Sequence, residues 1–116
     1  MPEIARITIA PTAGRVRVSR AGRVIADSAA ALTLRETGRP PVQYLPRGDA
    51  DMAALEPSRH VTHCPWKGDA SYFSVAGDPA GRDAVWSYEA PLPAAAGIAG
   101  HLAFYADRFE IEILPG

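Results

Sequence analysis

"FEIEIL", residues 109–114, alternates without a break: Phe109, Ile111 and Ile113 fall on one side of an extended chain, Glu110 and Glu112 on the other. Successive side chains of a strand point to opposite faces. The segment therefore reads as a strand with one buried face; helical residues would repeat three and four apart instead. The same period runs through most of the chain. "RVRVS" turns Val16 and Val18 inward and Arg15 and Arg17 outward, "SRAG" punctuates, and "RVIADS" resumes, which reads as a hairpin. "RITI" places Ile7 and Ile9 together, and "ALTLRE" places Leu32, Leu34 and Glu36 on one face with Thr33 and Arg35 on the other. "VQYLP" is a short strand among Pro40, Pro41 and Pro46, which suits a sheet edge. "RHVTHC", "SYFSV", "AVWSYE" and "HLAFYA" complete the set.

One short helix is expected, capped by Asp49 or Asp51, with Met52 and Leu55 on its inner side and Pro57 ending it. "PLPAAAGIAG", residues 91–100, reads as a connection with at most one helical turn. Turn residues recur every ~8–12 positions, the rhythm of a mainly β sandwich or open barrel. One or two short helical turns complete the expected mainly β architecture. With 116 residues, no linker and no internal repeat, a single domain over 1–116 is expected.

Composition narrows the function. Net charge is −1 and the arginines are dispersed around a single lysine, Lys67. A nucleic-acid binder needs a basic excess to neutralise phosphates, so that class is not expected. No stretch approaches the roughly 20 apolar residues of a membrane span, and "MPEIARITIA" has no leader-like apolar run. One cysteine allows no internal disulfide and fits a cytoplasmic location.

The densest chemistry is "HCPWKGDASYFS", residues 63–74. Alternation puts His60, Thr62 and Cys64 on one face and Val61 and His63 on the other, with Pro65 ending the strand. A nucleophilic Cys64 would need a base or cation nearby, and Lys67 and His60 are in range; a buried, inert thiol is the ordinary alternative. His60, His63, Cys64 and His101 are the candidate metal ligands, but the two nearest histidines face apart and no pair has familiar zinc spacing, so no metal and no cofactor are expected. Lys67-Gly68 is either an anion grip or a turn with a solvated lysine; it is not a P-loop. Tyr44, Tyr72, Trp86 and Tyr88 are either core or pocket lining. Glu36, on an apolar face, needs a cation or donors if it is buried; otherwise it simply enters the "TGRPP" loop.

Taken in order, "GRVIADS", "LRETGRPPVQYLPRGD", "CPWKGDASYFS", "AVWSYEAP" and "GHLAFY" resemble the domain of unknown function 427 family, over about residues 14 to 106. The resemblance implies a compact, mainly β domain of the β-tent or sandwich kind, two antiparallel sheets meeting at an angle with a ligand groove between them. It carries over onto Asp27, Ser28, Glu36, Tyr44, Pro46, Cys64, Pro65, Lys67, Gly68, Tyr72, Trp86, Tyr88 and Tyr105. Zinc-bearing relatives in the wider group use paired C-x-x-C motifs, and this chain has neither pair. The family is also labelled nucleotidyltransferase-like, yet the paired carboxylates that hold catalytic magnesium form no recognisable motif here.

Three functions follow. The first is binding of a small polar ligand in a groove lined by Tyr44, Tyr72, Trp86 and Tyr88, with Glu36 and Lys67 as opposite charges and Cys64 in the wall. The second is an enzyme on the same residues, with Cys64 as nucleophile or Lys67 and Glu36 as an acid–base pair. The third is an interaction module, in which the strand at 42–45 offers its edge to a partner or to a second copy.

Overall fold

The structure is a computed structural model that describes residues 6–115; the reading of the first residues as no leader lies outside them. Ten strands follow in order: β1 Ile7–Pro11, β2 Arg15–Arg20, β3 Arg23–Ser28, β4 Leu32–Glu36, β5 Val42–Tyr44, β6 Leu55–Cys64, β7 Gly68–Val75, β8 Val85–Ser87, β9 Ala103–Phe104 and β10 Glu110–Leu114. All pairings are antiparallel, in ladders of order β10-β2-β3, β1-β4-β5 and β6-β7-β8-β9.

The two expected sheets are thus three ladders, two of them stitched together. Leu45 and Leu102 exchange both backbone hydrogen bonds at 2.8 Å and so tie the end of β5 to the start of β9. The mainly β, antiparallel class stands, and the sheets do not close into a barrel.

Alternation explains the register. Ile111 lies opposite Val18 and Ile113 opposite Val16, so the apolar faces of β10 and β2 coincide. The β2–β3 hairpin turns at Ala21 and Gly22, both at positive φ (49° and 80°), as a two-residue turn matching the strand twist requires. Val16 and Val18 are fully buried with Ile25, Leu45, Phe73, Val85 and Leu102 in one core cluster. On β3, Asp27 faces Arg17 across the ladder and binds Arg15 and Arg17. Partial burial alone would raise its carboxyl; the hydrogen bonds from Arg17 and Arg15 outweigh that and hold it below the usual range.

The expected helix is absent. Arg47–Asp49 and Met52–Ala54 are separate 3-10 turns, and Leu55 already belongs to β6. The cause is competition for the backbone and the caps. Ala50 bridges Ala26, Asp49 accepts from Ser28 Oγ at 2.6 Å, and Asp51 accepts from Arg23. Pro57 does not end a helix; it sits in β6, an edge strand, where a missing N–H is tolerated. The 91–100 connection contains a 3-10 segment, Pro93–Ile98, whose Ala95 and Ile98 are fully buried, so it closes one side of the core.

Gly81 marks one crowded point. A Cβ there would stand 2.6 Å from Val75 Cβ. Gly81→Ala is expected to cost about 1–3 kcal/mol by overpacking, measured by urea unfolding. A neutral single variant would contradict this packing.

Candidate functional site

Glu36 ends β4 on the face of Leu34, as alternation requires, and is 8% exposed. Its partner comes from the β6–β7 turn. Gly68 has φ +105°, and a Cβ on it would lie 3.4 Å from Leu92 N, so the backbone there is both left-handed and closely covered. Leu92 N donates to Lys67 O at 2.9 Å. The turn is thereby held from outside, and the lysine side chain runs inward. Lys67 Nζ donates to Glu36 Oε1 at 2.5 Å, with only 11% and 7% of the two side chains exposed. Lys67 is therefore neither a solvated turn residue nor part of an open phosphate loop.

This pair borders a cavity of about 680 Å³ between the stitched sheet and β10. Six of the seven sequence-predicted ligand residues line it: Glu36, Tyr44, Lys67, Tyr72, Trp86 and Tyr88. Tyr72 and Trp86 are opposite neighbours on β7 and β8. Trp86 Nε1 donates to Tyr44 Oη at 3.2 Å, and its ring packs on that of Tyr105 at 4.6 Å. Tyr72 Oη bonds Thr62 Oγ1 at 2.9 Å and approaches Tyr105 Oη at 3.4 Å. Lys67 Nζ lies 5.9 Å from the centre of the Tyr88 ring.

Cys64 is the exception. It is half-buried and packs against the cluster of Tyr44, Tyr72 and Tyr88, but it does not line the cavity. Across the ladder it faces Gly68, beside the turn. The histidines scatter. His60 packs on Tyr72 at 4.6 Å from outside, His63 binds Asp69 at 2.7 Å, and His101 contacts the Ala99 carbonyl. Among the described residues, no group of three or more His, Cys, Asp and Glu is placed to hold a metal ion.

Arg39, Tyr105, Ile111 and Ile113 are among the lining residues that sequence reasoning left out of the site. Ile113 faces inward by alternation, yet it is 56% exposed because it meets the cavity and not the core. Arg39 follows Glu36 by one turn, its N–H donating to the Glu36 carbonyl at 3.0 Å. The pattern offered no sign that this loop returns to the groove. Tyr105 was visible only in the family resemblance.

All four tyrosines of the chain line this one cavity. Burial, with the nearby Glu36 charge as a lesser cause, pushes Tyr44 up to about 12 despite the Trp86 hydrogen bond. Burial also raises Tyr88, and burial with the Tyr72 hydrogen bond pushes Tyr105 up to about 12. Fold and phenolate thus oppose each other. For Tyr44 nothing is lost below its ordinary 10.0, and stability falls as pH rises from there to about 12. Ring-carbon NMR titration is expected to show Tyr44, Tyr88 and Tyr105 still neutral at pH 10.0, the ordinary midpoint. Half-ionised rings at that pH in an intact fold would contradict the site geometry.

No helix among the described residues is long and apolar enough to cross a membrane. The sequence model of the family described as domain of unknown function (DUF427) matches residues 8–114, and the chain belongs to that family. No curated protein matches it.

Proposed function

We propose that this domain binds a small polar ligand in the cavity between the stitched sheet and β10. The observation that carries this reading is a buried ion pair, Glu36–Lys67, opening onto about 680 Å³ of aromatic-lined space. Core packing has no use for that combination. A buried charge pair recovers little of its desolvation cost, and unfilled volume forfeits contacts. A pocket of ~300–1,000 Å³ with few convergent polar groups is the usual form of a small-molecule site.

A second reading, an enzyme, is favoured by one contact: Lys67 and Glu36 share a direct hydrogen bond inside the cavity, where an acid–base pair would have to act. Its nucleophile version has less to support it, since Cys64 is not among the residues that line the cavity. As for partners, strand addition at β5 has less free backbone than the sequence suggests, because Leu45 is already paired with Leu102. Self-association at that edge predicts a concentration-dependent mass in light scattering.

The test is thermal unfolding against nucleotides, sugars, cofactors and metabolites, for the wild type and for Glu36→Gln/Lys67→Met. The double variant removes both charges at similar volume. A ligand at 100 times its dissociation constant adds about 2.7 kcal/mol. The expected result is a stabilising compound whose effect is lost in the variant; stabilisation equal in both proteins would place the site elsewhere.

A further inference from the structure

The cavity has a sign. Three charged residues line it, Glu36, Lys67 and Arg39, and the first two neutralise each other. Arg39 is exposed, and among the described residues its guanidinium meets no carboxylate within ion-pair distance. One uncompensated positive charge therefore stands at the lining.

The hydroxyls point the same way. Tyr44 Oη already accepts from Trp86, so its own proton is free to donate. Tyr88 is buried, and its hydroxyl has no protein partner among the described residues, although it is not sealed from open space. Both phenols are held in the neutral, proton-bearing form. A ligand that satisfies these groups must bring acceptor oxygens. A flat, apolar body suits the rest of the lining, which includes the Trp86 and Tyr105 rings, tilted at 44° to each other, and the side chains of Ile111 and Ile113.

We propose that the ligand is a planar monocarboxylate, an aromatic or conjugated ring bearing one carboxylate, with Arg39 holding the carboxylate and the phenols donating to its oxygens. This rests on the reading of the cavity as a ligand site. The planar guanidinium fork matches a carboxylate in two parallel hydrogen bonds. A single net positive charge matches a monoanion; a phosphate dianion would leave a charge without a counterpart, and an amine would face Arg39 and Lys67 with its own positive charge.

The experiment is titration calorimetry with sodium benzoate, cinnamate and indole-3-acetate, beside their neutral amides, 2-phenylethylamine and inorganic phosphate. It is run on the wild type, Arg39→Gln and Arg39→Lys, all first checked for unchanged melting, as an exposed position should allow. At least one acid is expected to bind more than about tenfold tighter than its amide, a gap of roughly 1.4 kcal/mol. Arg39→Gln removes that gap, and Arg39→Lys restores only part of it, because an ammonium cannot form the fork. Equal binding of acid and amide, preference for the amine or phosphate, an Arg39→Gln protein that keeps the gap, or no binding by any acid overturns the assignment. If the acids fail while another compound class binds and is lost in Glu36→Gln/Lys67→Met, the ligand-site reading survives this failure; if nothing binds, both are lost.

Discussion

Lys67→Met is expected to destabilise the protein by about 3–5 kcal/mol, the usual cost of leaving one partner of a buried ion pair alone. The substitution keeps much of the side-chain volume, so loss of packing contributes little. What it leaves is an unpaired Glu36 carboxylate on a side chain only 7% exposed, at the end of a strand whose neighbours on that face are apolar. Its Oε1 loses the ammonium 2.5 Å away. The double variant Glu36→Gln/Lys67→Met is expected to recover most of the loss, since replacing both members of such a pair by neutral groups is often near neutral. Urea unfolding of the four proteins closes the cycle, with a coupling well above the ~0.5 kcal/mol scatter of independent sites. A Lys67→Met protein within that scatter of the wild type would mean that the ammonium and the carboxylate are both solvated, and the site would lose its centre.

Leu102→Ala is the second large effect, about 2–5 kcal/mol. Leu102 and Leu45 are both fully buried in the same core cluster, and their backbones form the bridge that joins β5 to the β9 end of the neighbouring ladder. Truncation leaves a void under that seam, and the surrounding strands cannot close it without giving up the bridge. The same variant is expected to speed amide hydrogen exchange at Leu45 and Leu102 more than at Val16 and Val18, which lie in the β10-β2-β3 ladder. Uniform acceleration across all four amides would mean that the seam is no weaker than the rest of the sheet.

That seam is also where sequence reading ran out. Period-two alternation found Val16, Val18, Leu34 and Phe109, because each contrasts with a charged neighbour. It could not find the Leu45–Leu102 pairing, which joins residues 57 apart through a single bridge. It made β9 longer than two residues, since "HLAFYA" looks strand-like throughout while only Ala103–Phe104 pairs with β8. The helix over 49–57 failed for a related reason: local capping residues were present, but their side chains are taken by Ser28 and Arg23 from β3.

The site was half legible. Glu36 announced itself by breaking an apolar face, and Lys67 by being the one lysine of the chain. Their contact spans 31 residues, and no local pattern encodes it. Cys64 drew attention as a rare residue, and rarity does not fix direction. Arg39 and Ile113 were missed because a loop arginine and an inward isoleucine have ordinary uses elsewhere in the chain.

The two tryptophans offer the most direct test of the cavity. Trp66 is 41% exposed and outside it, whereas Trp86 lines it. In Trp66→Phe, emission reports Trp86 alone. Titrating that variant with each compound that raises the melting temperature is expected to give a saturable change in Trp86 emission, at the affinity found by calorimetry. Stabilising compounds that leave Trp86 emission unchanged would contradict the account and place binding away from Glu36 and Lys67.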